Sequence, residues 1–194
     1  MNSVIRGDFK IMTEVKLKDI AEIFSGVHIF RFMDETADLK PVLKNKLDEN
    51  NNLEFDYENI SDKIDLKYYS KKGDILISLS EPNTVYKLNH EGFIITMYFV
   101  IIRLKDNYDS SFIFHILESN SFHKKLYKLL EGGALKVIKV ADLKNLTMEL
   151  PSYEKQKQYG ALLDLIDKKI ELKEKSIKKD NDYKESIIEH IFKN

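Results

Sequence analysis

The side chains here that could do covalent or acid-base chemistry are few in type: five histidines, 32 carboxylates and no cysteine. A zinc hydrolase needs two histidines one helical turn apart with a glutamate beside the first. His90-Glu91 comes nearest, but Ile94 stands where the second ligand belongs, and His28, His115, His123 and His190 complete no such motif. Carboxylate pairs such as Asp106 and Asp109 read as ordinary loop residues rather than an acid-base couple. The seven glycines form neither G-x-x-x-x-G-K-[ST] nor G-x-G-x-x-G, and no G-x-S-x-G elbow presents a serine. Without cysteine there are no disulfides, thiolate metal sites or thiol nucleophiles. The expectation is a non-catalytic chain with no cofactor and no metal, whose chemistry is binding.

Charge narrows what it binds. With 31 Lys plus Arg against 32 Asp plus Glu the net charge is −1, so a broad basic face for indiscriminate nucleic-acid binding is not expected. Polyanion contacts would have to come from local clusters. The acidic stretch Leu47 to Asp56 (LDENNNLEFD) would repel phosphates and reads as a solvated loop. A content of 43% hydrophobic residues supports one globular domain of about 150 residues with chain to spare. No apolar run approaches the roughly 20 residues needed to span a bilayer, and MNSVIRGDFK has no signal-peptide pattern, so a soluble cytoplasmic protein is expected.

The elements that must carry such clusters are of mixed type. Val15 to Phe24 (VKLKDIAEIF) spaces Leu17, Ile20, Ala21 and Phe24 as a short amphipathic helix closed by Ser25-Gly26. Asp74 to Leu79 reads as a strand after the Lys71-Lys72-Gly73 turn, and Phe93 to Leu104 as a buried strand or strand pair. Ser111 to Leu117 and Phe122 to Leu130 read as two helices, ended by Gly132-Gly133. Lys136 to Val140 and Asn145 to Leu150 look like two short strands, the second turning Leu146, Met148 and Leu150 inward.

Beyond Leu150-Pro151 a strongly helix-forming run continues to the end of the sequence. Helical from Tyr153 to Lys193, it would be a rod roughly 60 Å long at about 1.5 Å per residue. A heptad seam runs along it: Leu163, Ile170, Ile177, Lys184 and Ile191 at a, and Ile166, Lys173, Asp180 and Ile187 at d. Polar seam residues such as Lys173, Asp180 and Lys184 cost stability but select register and partner. Such a helix needs something to cover its apolar stripe, and a second copy of the chain is the expected partner. The fold class is therefore α+β: a β-rich domain over residues 1–150, then a long coiled-coil-forming helix over 151–194.

Four segments, in order, resemble a known family. They are Val15 to Ile20 leading to Gly26; Tyr68 to Ser78 with Lys72-Gly73-Asp74-Ile75-Leu76-Ile77-Ser78; Gly132 to Pro151 with Ile138, Leu143 and Leu146; and Glu154-Lys155-Gln156 followed by Leu162, Ile166, Asp167 and Ile170. Together the chain resembles half of a type I restriction-modification specificity subunit, one target-recognition domain plus one spacer helix. Full-length members carry two of each, and here Leu79 to Thr84 replaces a common glycine-bearing turn. The resemblance implies a non-catalytic subunit that reads one half of a bipartite site on double-stranded DNA. It also implies a scaffold for methyltransferase subunits, which carry S-adenosylmethionine. No motif says whether a restriction (nuclease) subunit joins them.

Under that resemblance the DNA-contact candidates are basic, amide and aromatic groups in inter-strand loops. They are His28 and Arg31; Tyr68, with Tyr69, beside Lys71 and Lys72; Asn83 with Tyr86 and Lys87; and Lys136 with Lys139. Paired rods, antiparallel about a two-fold axis, would set the half-site spacing of a homodimer. The competing reading is a module that binds protein rather than DNA, displayed on a coiled-coil stalk.

Overall fold

The apolar run Phe93 to Leu104 forms the spine of the fold, and it does so as two strands instead of one. The computed structural model describes residues 12–47, 53–80, 83–130 and 138–193. Along the chain the elements are β1 (Thr13–Lys16), α1 (Leu17–Ile20), β2 (Ala21–Ser25), β3 (Leu39–Leu47), β4 (Leu53–Asn59), β5 (Ile75–Ser78), β6 (Val85–Lys87), β7 (Ile94–Ile95) and β8 (Phe99–Leu104). They continue as α2 (Ser110–Glu118), α3 (Asn120–Leu130), α4 (Val140–Asn145), β9 (Thr147–Leu150) and α5 (Tyr153–Phe192). Short 3-10 turns sit at Ile29–Arg31 and Leu66–Tyr68.

Strand β8 lies inside an antiparallel sheet ordered β2-β8-β5-β6. Its residues Phe99 to Ile102 are buried on both faces, which explains why the run is continuously apolar rather than alternating. Period two then sorts the side chains. Ile75, Ile77, Val100 and Ile102 join Leu17, Ile20, Ile113, Leu117, Leu126 and Leu143 in a core under the helices. Leu76, Phe99 and Ile101 face the other way, onto Leu43 and Ile95 of a second sheet ordered β4-β3-β7. Each fully buried Ile or Leu contributes about 1.5–3 kcal/mol of transfer free energy, so these two cores dominate stability. A third, smaller cluster of Val27, Val42, Ile60, Ile64 and Ile94 supports Tyr68 and Tyr69.

Three sequence expectations need correction. Val15 to Phe24 is not one helix: α1 is a single turn, and Ala21–Ser25 is a strand paired with β8, because Ala21 and Ile23 alternate into the core. Lys136 to Val140 is not a strand over its described part, since Val140 opens α4; Lys136 lies outside the described residues. The stretch Leu47 to Asp56 is not simply a loop, because β4 begins at Leu53 and pairs antiparallel with β3. Residues 48–52 lie outside the described residues. The two strands at Ile75–Ser78 and Phe99–Leu104, the helices α2 and α3, and the inward burial of Leu146, Met148 and Leu150 match expectation, although Asn145 ends α4 and β9 begins only at Thr147.

Two close approaches fix the layout. Gly26 lies against the carbonyls of Ile95 and Thr96, where any Cβ would collide with backbone. Gly160 lies against Asp109 and the backbone of Phe112, which lets α5 rest on the first turn of α2. Around it, buried Gln156 accepts from Asp109 N (3.2 Å) and donates to Pro151 O (2.9 Å). One turn further, Asp164 accepts from Lys87 Nζ (2.9 and 3.0 Å) and Ser111 Oγ (2.7 Å). Beyond this root α5 leaves the body. Ile170, Ile177 and Ile191 are 48%, 60% and 64% exposed. The helix runs 40 residues, about 60 Å. No described helix is long and apolar enough to cross a membrane.

Candidate nucleic-acid interface

The loop carrying Tyr68 to Lys72 is held from beneath by a buried ion pair. Arg103 of β8 donates through Nε and Nη2 to Asp74 (2.9 and 2.7 Å), and Asp74 is 2% exposed. The same guanidinium donates to Tyr69 O (2.9 Å) and Lys67 O (3.2 Å), while Lys71 N donates to Asp74 Oδ2 (2.8 Å). A bidentate guanidinium–carboxylate pair has fixed planar geometry, so it locks the loop's backbone. Gly73, at φ +88°, completes the turn. Lys71 and Lys72 are thereby left exposed on a rigid support. Tyr68 and Tyr69 are half-buried, Tyr68 set edge-on to Phe24 with ring centroids 6.4 Å apart.

Hairpin β3–β4 separates two clefts, with Leu43 and Phe55 lining both. The first holds His28, Phe30, Met33, Lys44, Lys46, Met97 and Tyr98. Phe30 is 66% exposed and lies edge-on to His28, with centroids 5.7 Å apart. Arg31, exposed, ends the same 3-10 turn. Charge in this cleft is mixed: Glu54, Asp56 and Glu58 also line it, and Glu58, hydrogen-bonded at 2.8 Å, holds the Lys44 ammonium above the usual lysine range against the opposing effect of burial. The second cleft holds Tyr86, Lys87, His90 and Phe93.

The candidates therefore separate. His28 lines one cleft, Tyr86 and Lys87 line the other, and Lys71, Lys72 and Lys139 are exposed outside both. Asn83 is 1% exposed at φ +59°, its Nδ2 donating to Ser78 O at 3.0 Å, so its side chain builds a turn. Lys87 is tied to Asp164. Sequence reading missed Phe30, Lys44, Lys46, Phe55, Met97 and Tyr98. Met97 and Tyr98 were hidden inside an apolar run, and Phe55 inside an acidic one.

The family model described as type I restriction modification DNA specificity domain matches residues 10–179. The chain belongs to this family. The type I restriction enzyme MjaVIII specificity subunit of Methanocaldococcus jannaschii is 30% identical over 113 residues, 54% of this chain and 27% of that subunit. The chain thus spans about a quarter of the length of that curated relative. Among solved structures, the HsdS subunit from Thermoanaerobacter tengcongensis superposes with a TM-score of 0.54 at 18% identity, over 82% of this chain and 38% of that one. The type I restriction-modification system S subunit from M. genitalium gives 0.57 at 13% identity, over 86% and 42%. A chain from a structure titled for complex assembly and conformational transition of the type I R-M system gives 0.59 at 20%, over 82% and 39%. These likenesses show that the specificity domain here has the α+β fold of those subunits, a β-rich region followed by a long helix.

Proposed function

We propose that this specificity domain reads one half of a bipartite site in double-stranded DNA, without catalysing any reaction itself, and that it holds methyltransferase subunits at that site. A restriction subunit is a further expected partner of the same assembly. Family membership carries this reading. The two-cleft surface supports it: mixed-charge, aromatic clefts suit base edges better than phosphates, because carboxylates accept from cytosine amino groups while they repel the backbone. Lys71, Lys72, Arg31 and Lys139 are the exposed cations assigned to phosphates; His28, Tyr68 and Tyr86 are assigned to the groove. Residues 1–150 act as the reader and 151–194 as the spacer. The exposed seam of α5 pairs with a second copy in antiparallel fashion, placing readers at the two ends of a rod.

Duplex binding measured against salt tests this. Affinity should fall steeply between about 50 and 200 mM salt, as counterion release demands. Substituting Lys71 and Lys72 with Ala should lower affinity for all sequences and reduce the salt slope. Affinity for duplex DNA that is absent at low salt would favour instead a protein-binding head on a stalk, the reading that the near-neutral charge supports.

A further inference from the structure

Where α5 crosses α2, four side chains meet, of which Glu118 also lines the second cleft. His115 and Glu118 lie one turn apart on α2, and Asp164 and Asp167 one turn apart on α5. Two i, i+3 pairs thus face each other across the helix contact. The His115 side chain is 10% exposed. Its Nε2 lies 3.0 Å from Asp164 Oδ1, while Nδ1 lies 3.6 Å from Asp167 Oδ2 and 3.8 Å from Glu118 Oε2.

The two ring nitrogens therefore have different surroundings. Asp164 already accepts from Lys87 and Ser111, so its charge is compensated. A carboxylate bonded to one imidazole nitrogen fixes the tautomer with the proton on that nitrogen and turns the other lone pair outward, the arrangement that commonly backs a metal-bound histidine. In that tautomer the second lone pair faces two carboxylates. Among the described residues no N–H or O–H donor reaches Nδ1, and no lysine or arginine pairs with Glu118 or Asp167. One oxygen of each carboxylate and Nδ1 all lie within 4.8 Å of one another. The two carboxylates repel: burial, then Asp167, pushes the Glu118 carboxyl above its usual range, with His115 opposing.

A cation would relieve that repulsion. Tetrahedral zinc with ligand bonds of about 2.0 Å separates its ligand atoms by about 3.3 Å, so each Nδ1–carboxylate gap needs to close by about 0.5 Å or less and the gap between the two carboxylates by about 1.5 Å or less. Glu118 and Asp167 are more than half exposed and free to rotate that far. One imidazole with two carboxylates suits zinc and its first-row neighbours better than magnesium or calcium, which prefer all-oxygen shells. We propose that His115, Glu118 and Asp167 bind a divalent cation of the zinc class, with water completing the shell, and that the ion staples the base of α5 to α2.

The staple would stiffen the angle at which the rod leaves the body, independently of whether DNA is the ligand. The test is titration of the chelator-treated full chain with Zn2+ by calorimetry and thermal melting, and with Co2+ by visible absorption. The expected result is uptake of one equivalent per chain, with a rise in Tm that chelator reverses. Glu118→Gln and Asp167→Asn, both at partly exposed positions, should each weaken binding about tenfold or more. Without metal, Glu118→Gln should melt no lower than the parent, which separates loss of a ligand from loss of the fold. Absence of stoichiometric uptake by the parent chain, or uptake that persists at full affinity in both variants, overturns the proposal.

Discussion

Asp164 is the residue on which the join between body and rod turns. Burial disfavours its charge, but hydrogen bonds from Ser111, Lys87 and His115 outweigh that and hold its carboxyl below the usual aspartate range. A carboxyl depressed by folding stabilises the folded state above its ordinary pKa, near 4, and loses that contribution as pH falls through the lowered value. Asp164→Asn should therefore cost about 1 kcal/mol near pH 7, a figure kept small because the side chain is 41% exposed. The deficit should shrink toward pH 3, as urea denaturation at the two pH values would reveal. Gly160 makes a second residue-scale case. Alanine gains about 1 kcal/mol of helix propensity, yet its Cβ would strike Asp109 and the Phe112 backbone. Overpacking of about 1–3 kcal/mol should win, giving a lower Tm for Gly160→Ala. Neither role was legible beforehand. Asp164 and Gly160 look like any residues of a helical run until a partner 48 or more positions away is placed beside them. Asn83 and Lys87, read from sequence as DNA-contact candidates, have structural duties that were hidden for the same reason.

Among the elements, α5 was the most legible, because periodicity sustained over several heptads leaves little choice of structure. It is observed from Tyr153 to Phe192. What periodicity did not disclose is that the root of the helix is used intramolecularly. Gln156 and Gly160 are buried against the body, Leu163 is half-buried, and the exposed seam starts only at Ile166. Leu162, at g, adds exposed apolar surface on the flank of that seam, whereas Leu165 and Leu172, both at c, expose theirs on another side of the helix. If Asp180 pairs with a lysine across a two-helix interface, Asp180→Lys should weaken dimerisation in sedimentation equilibrium, while an unchanged constant would leave that residue solvent-facing in the assembly. Short strands were harder to foresee. β2 was read as helix because Leu17, Ile20, Ala21 and Phe24 happen to fit a helical spacing, and only pairing with β8 decides otherwise. Hairpin β3–β4 escaped because charged residues alternate along an outer strand that is mostly exposed.

For the whole molecule, length is the quantity that connects shape to recognition. Removing one heptad from the exposed part of α5 would shorten the rod by about 10.5 Å while keeping the seam in phase. That equals about three base pairs at about 3.4 Å each. Under the proposed pairing the spacer between methylated half-sites should contract accordingly. Identical spacing in a methylation-site assay would refute the ruler. A variant with Ile170 and Ile177 both changed to Lys should be monomeric in solution and should lose the bipartite requirement. Class and general layout were readable here because long-range order follows from summed hydrophobic pattern, whereas the reading surface depends on which loops meet, a matter of topology. Strand β1 pairs with β9, Thr13 opposite Leu150, so the two flanks of the β-rich region come together beside the first turn of α5. Everything between them departs from and returns to one spot. Under the proposed reading, exchanging the intervening segment as a cassette would alter which sequence is read without moving the point from which the distance between two paired readers is measured.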